Sequence, residues 1–476
     1  MEAGNTVPRV SRHFLRSAAY VAVAVAGFTS LIGCGSNYRP VVAAINPVGP
    51  SSQPTKYAIA ISSPSSTTPG LVTIVDFSGD TVLITANIGA DPKYLVLNGG
   101  VTTSATTGVT SYTAATTGYT INGDNTLNSF DISTSLISSQ ISEVTLLAGV
   151  QPVSIFPQGT TTYVTQPGTD TVAEYQGTTS TLGLKQQLNI VNPIYVVGIT
   201  AAPRVYALSQ GDGTTSNPPL AVAIDSTSLT PTASIPVGSG PVYGIMTGDG
   251  KRVFVMNKTA GTVSVINAQT NALDTFTPTG STTATSTINV GTSPLWADFA
   301  STLSEMVVAN AGSGTNNGTL SIISIPLCSA AAQPTNPNCD STNPVDAAGF
   351  GTVLASPTVG VNPIMVSVLQ DGTRAYVANA GDPSQSCTTT SSTGTVTANG
   401  NCTVSVVNLK SNTVTATIPI AGHPAYIAAT TGTPTGKVYV VCNDSQNMTV
   451  IRTDIDAIDT TIPLQGNGVS VRVTLP

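Results

Sequence analysis

Charge is what this chain has least of. Asp, Glu, Lys and Arg together are 8% of 476 residues, histidine occurs twice and tryptophan once. Helical surfaces are solvated by opposite charges three or four places apart, and too few are present for a helical fold. The net charge of −7 comes without a basic stripe, which excludes nucleic acid as a partner. Beyond Ile32 no apolar run reaches the roughly 20 residues a membrane span requires. His13 and His423 cannot build a multi-histidine copper, haem or zinc site. No G-x-S-x-G elbow, P-loop or dinucleotide fingerprint stands in strand–turn–helix context. Gly211-Asp212-Gly213 and Gly248-Asp249-Gly250 lack further acidic ligands at calcium-loop spacing and read as turns.

The N-terminus is a targeting segment and stands outside the fold. Arg9, Arg12 and Arg16 precede an uncharged, mostly apolar stretch, Ser17 to Ile32, that closes on Leu31-Ile32-Gly33-Cys34. This resembles a bacterial lipobox, in which residues 1–33 are removed and Cys34 is lipidated. The alternatives are an ordinary signal peptide with an incidental cysteine, or an anchor helix. Several acyl chains on one cysteine hold a membrane far better than one chain does. Gly35 after that cysteine favours the outer membrane, by resemblance to lipoprotein sorting. Residues 34–55, rich in Pro, Ser and Asn, read as a tether, and 56–476 as the folded domain.

The remaining cysteines fit an exported protein. Cys328 and Cys339 bracket one insertion and Cys387 and Cys402 another, so two local disulfides are expected, each worth about 3 kcal/mol. Their spacing is wrong for zinc. Cys442 lies in the strand-like run Val440-Val441-Cys442 and is expected to be a buried thiol.

What is plentiful is turn chemistry: 44 Gly and 32 Pro, with Thr and Ser throughout. Between Arg374 and Pro424 three β-branched runs, Arg374–Asn379, Thr403–Asn408 and Thr413–Ile420, are separated by polar turns and read as an antiparallel meander. The pattern recurs. Gly or Asn precedes Pro at the start of each unit, at Pro92, Pro152, Pro193, Pro241, Pro294, Pro363 and Pro424, and Gly466 marks an eighth junction without Pro. Gly is expected there for a turn with positive φ, and Pro is tolerated as a strand's first residue.

Second strands often end in Asn or Gln, as in Tyr119–Asn122, Tyr163–Gln166, Phe254–Asn257, Val307–Asn310 and Tyr376–Asn379. On these residues the chain resembles the YVTN family of β-propeller repeats, well over Arg252–Asn271 and Arg374–Gly466 and loosely elsewhere. The resemblance implies an all-β fold, a single propeller of four-stranded antiparallel blades. A β-sandwich array or β-helix is the alternative. The final strand, Val469 to Leu475, is expected to complete the blade begun at Tyr57–Ile61, which would close the ring and leave no unpaired edge. Counting this composite blade gives eight blades, with seven as the alternative.

In such a ring the second-to-third and interblade loops share one face, holding Gln210–Pro218 and the Cys387/Cys402 insertion. Gly99–Gly118 and Leu327–Gly349 lie on the other. Only Lys93, Asp298 and Arg472 bring charge near the axis, and a hydrolase centre would want carboxylates or a metal converging there. Trp296 and the axial tyrosines could stack on a sugar or pack a core. His423 reads as a turn residue rather than a general base. No catalytic, cofactor or metal residue is assigned. The expected function is non-catalytic binding or scaffolding at the cell envelope, through a protein or glycan partner, with the membrane reached only by the lipid anchor and the chain a monomer. The alternatives are a lactonase-like or other hydrolase, since such enzymes share the architecture, and an accessory lipoprotein of outer-membrane assembly.

Overall fold

A computed structural model describes residues 56–476 except 105, 133–140, 179–180, 201, 327–348, 394 and 433–434. Cys34, Cys328, Cys339 and the segments expected to be leader and tether therefore lie outside the described residues. The rest is an eight-bladed β-propeller of antiparallel blades. Blade 1 is the composite: its inner strand is Asn467–Val473, followed outward by Tyr57–Ser63, Pro69–Asp76 and Thr81–Ala90. Ala58 pairs with Val473 and Ile61 with Ser470, so the last strand closes the ring as expected. Blades 2 to 8 have inner strands Pro92–Leu97, Ser154–Gln158, Pro193–Gly198, Pro241–Met246, Pro294–Ala300, Pro363–Val368 and Pro424–Thr430. In blades 5 and 6 the outer strand is split, into Ala272–Leu273 with Thr287–Asn289 and Val353–Ala355 with Thr358–Val361. Two extra hairpins project from the ring, Gly100–Thr103 with Thr110–Thr113 and Thr388–Thr390 with Val396–Ala398.

Second and third strands are buried on both faces because each blade is sandwiched between neighbours. Val253 to Met256 and Val438 to Val441 are all fully buried, whereas outer strands such as Thr413–Pro419 alternate exposed and half-buried. Period-two alternation survives only where one face meets water.

In blades 2, 5, 6 and 7 the signature asparagines latch the blade internally. Asn257 Nδ2 donates to Thr262 Oγ1 (3.1 Å) and Ser264 Oγ (2.9 Å), and Asn379 Nδ2 to Thr403 Oγ1 (3.0 Å) and Ser405 Oγ (2.9 Å). This corrects the expected reason for four of the junction glycines, whereas Gly149 (φ 79°) does take the positive φ expected of it. Gly89, Gly238, Gly291 and Gly360 do not have positive φ; a Cβ there would come within 2.5–2.8 Å of the latch asparagine. The positive φ falls instead on the residue before proline, at Asp91, Gln151, Asn192, Gly240, Ser293 and Asn362.

A second device joins blades. Tyr206 Oη donates to Asn271 Oδ1 (2.6 Å) and Tyr376 Oη to Asp456 Oδ1 (2.5 Å), each on the next blade's third-to-fourth turn. A basic residue at the start of the same second strand reaches the same kind of turn: Arg374 meets Asp456 at 2.7 Å, and Lys437 meets Asp80 at 2.7 Å.

Candidate functional site

The inner strands carry a repeated irregularity that builds the axis. In blades 2, 4, 5, 6, 7 and 8 the pairing register slips between the junction proline and the residue two places on. Such a bulge re-aims the side chain that follows it. Those side chains are Tyr94, Tyr195, Tyr243, Trp296, Met365 and Tyr426. Five of them form a belt. Tyr94 and Tyr195 meet edge to face (6.4 Å), Tyr195 and Tyr243 are 5.0 Å apart, Tyr243 stacks on Trp296 (3.8 Å, 21°), and Trp296 meets Tyr426 edge to face at 5.6 Å.

Arg472, from the closing strand, completes the belt. Its guanidinium lies 4.5 Å from the Tyr426 ring centre, 5.5 Å from Tyr94 and 5.8 Å from Trp296, within cation–π range. Its Nε donates to the Leu95 carbonyl (3.2 Å) and its Nη2 to the Tyr94 hydroxyl (2.9 Å). Among the described residues no carboxylate lies within ion-pairing distance of it. Burial raises the Tyr195 and Tyr426 phenols well above their ordinary range, so both stay neutral beside the cation.

Beyond the belt opens a cavity of about 340 Å³, lined by Tyr94, Tyr195, Tyr243, Asp298 and Arg472 among others. Asp298 stands four residues beyond Pro294, the same place that Arg472 occupies four beyond Gly468. Burial pushes its carboxyl up to about 6, against the Val368 and Phe299 amides and Arg472, which pull it down. Both oxygens are engaged: Oδ1 accepts from Phe299 N–H (2.8 Å) and Oδ2 from Val368 N–H (2.8 Å), tying blade 6 to blade 7.

The Gly100–Thr113 hairpin covers the cavity. Thr103 N–H donates to the Gly248 carbonyl of blade 5 (2.8 Å), and Ala115 N–H to Thr474 of blade 1 (2.9 Å). Tyr112 lies beside Ser301 and Asp298 of blade 6, and burial first and Asp298 second raise its phenol. Blades 2 and 6 face each other across a ring of eight, so the hairpin bridges the mouth.

The three charged residues expected near the axis thus divide. Arg472 and Asp298 line the cavity. Lys93 does not; it is the bulged residue between Pro92 and Tyr94, exposed and paired with Asp91 at 2.6 Å. His423 sits in its interblade turn with Nδ1 2.7 Å from Asp444, on the opposite face. The Cys387–Cys402 disulfide is present, with Cα atoms 5.2 Å apart, and Cys442 is a buried free thiol. The lid is what the sequence did not disclose. The alternation Val101-Thr102-Thr103 and Thr110-Ser111-Tyr112 signals a hairpin, but nothing local says where it folds.

Fold and site together define a lidded eight-bladed propeller with Arg472, among the described residues, as the fixed cation at its axis. The chain matches no family model and none of the curated proteins by sequence. Solved propeller structures resemble it at low identity. Apo AztD from Citrobacter koseri has a TM-score of 0.52 at 10% identity, over 88% of this chain and 97% of that one. The dihydro-heme d1 dehydrogenase NirN reaches 0.54 at 9%, over 90% and 77%. A candidate 6-phosphogluconolactonase from Bacteroides fragilis reaches 0.50 at 11%, over 89% and 99%. The likeness is one of fold.

Proposed function

We propose that this chain is an exported, lipid-anchored binding protein of the cell envelope, of YVTN-repeat type, that holds its ligand without transforming it. The observation that carries this reading is the axial cavity: aromatic walls, one carboxylate already held by two backbone amides, one guanidinium without an ion-pair partner among the described residues, and a hairpin over the mouth. Such a combination of apolar walls and one placed polar group suits recognition. The basic N-terminal segment, the lipobox-like Leu31–Cys34 and the disulfide support the address. Native mass spectrometry of the protein extracted from envelopes tests it, and a discrete adduct released on denaturation is the expected result. Bare protein from every preparation, with no partner captured by crosslinking, would count against it.

A hydrolase is the second reading, favoured by Asp298, whose carboxyl is raised to about 6 beside the cavity. A general base needs a pKa near the working pH, but both oxygens of Asp298 already accept backbone hydrogen bonds. Turnover of a lactone and ester panel that is lost in Asp298→Asn would establish it.

A further inference from the structure

From the axial guanidinium we infer that the cavity takes a small organic carboxylate, its anionic end on Arg472 and its apolar body against the tyrosine walls. The inference rests on the binding reading and names the ligand's chemistry. A guanidinium has five N–H groups in a planar fork. Arg472 gives one to the Leu95 carbonyl and one to the Tyr94 hydroxyl, which leaves three on its terminal nitrogens. The side chain is flanked by rings, with Tyr426 4.5 Å away, and Asp298 feels its charge across the cavity without forming an ion pair with it. It is half-buried and lines the cavity.

A partly buried cation that forms no ion pair carries a desolvation cost. Cation–π contacts offset part of that cost, and a carboxylate on the free terminal edge would satisfy the rest by two charge-assisted bonds. The walls decide the remainder of the ligand. Tyr195 and Tyr243 present ring surface rather than additional charge, and the cavity is at the small end of ligand sites. Asp298 on the same level disfavours a second anionic group, so a monoanion fits better than a dianion.

Calorimetric titration of the mature chain with benzoate, hexanoate, benzamide and benzylamine tests this on the unmodified protein. Emission from Trp296, the chain's single tryptophan and part of the belt, gives a second readout. Saturable binding of a carboxylate, at least tenfold tighter than benzamide and with benzylamine silent, is the expected result. Arg472→Gln should weaken carboxylate binding at least tenfold and leave benzamide unchanged, with circular dichroism confirming that the variant is folded. Equal binding of benzoate and benzamide, or carboxylate affinity retained in Arg472→Gln, would overturn the assignment. So would silence from both carboxylates; an adduct still recovered from envelope protein would then leave the binding reading standing.

Discussion

Glu174 offers a test of how the blades are joined. It is fully buried in the third strand of blade 3, opposite Tyr163. In blades 4 and 7 the equivalent tyrosine donates to Asn271 or Asp456 on the next blade. For blade 3 the residue at that turn is Leu229, which keeps the positive φ but offers no side-chain acceptor. The Tyr163 hydroxyl is left without a partner, as is Glu174 Oε1, while Glu174 Oε2 accepts from Gln186 Nε2 at 2.6 Å. Burial raises this carboxyl from 4.5 to about 7, with the Gln186 bond opposing. Each unit by which a group's pKa differs between folded and unfolded states is worth about 1.4 kcal/mol. The folded form holds the proton more tightly, so the stabilising term is complete below pH 4.5 and is lost as pH rises through about 7. Unscreened, the loss is about 3 kcal/mol. The neighbouring outer strand, Gly183–Asn189, is largely open to water, so screening lowers this to about 2 kcal/mol. Glu174→Gln keeps an acceptor for Gln186 and removes the ionisable group. The variant should melt about 2 °C above the parent at about pH 8 and at the same temperature as the parent at about pH 4.5, read by calorimetry across that range. Parallel pH profiles for the two proteins would refute the argument.

Three further outcomes are expected. Gly238→Ala should cost about 2 kcal/mol through overpacking, since its Cβ would lie 2.6 Å from Asn257, and Asn257→Ala should recover part of that cost in a double-mutant cycle followed by urea unfolding. Asp456→Ala leaves Arg374 and Tyr376 without their shared acceptor and should cost about 1–2 kcal/mol by the same assay, against about 1 kcal/mol for Tyr376→Phe. Replacing Cys387 and Cys402 together by Ser should cost about 3 kcal/mol, and Cys442, whose thiol burial pushes up to about 12, should resist alkylation until the ring unfolds.

Much of the architecture was legible in the chain because its causes are local. Strand pattern follows from β-branched runs between turns, blade count from the recurring junctions, and ring closure from the match of the orphan last strand to Tyr57–Ile61. The disulfide at Cys387 and Cys402 needed only two cysteines bracketing a short insertion. The role of the junction glycines was not legible, because a positive φ and a close neighbour both call for glycine, and only coordinates distinguish them.

The candidate site was legible in its parts alone. Composition singled out Arg472 and Asp298 as rare charges near the axis, and it also suggested Lys93, which the bulge turns outward. What sequence by itself determined is the repeating meander and its closure, since alternation and turn chemistry act over a few residues. Tertiary structure decided the belt, the unpaired guanidinium and the lid. Curvature brings six blades' side chains to one axis, and an inserted hairpin finds its contacts on the far side of the ring; neither leaves a mark in neighbouring residues.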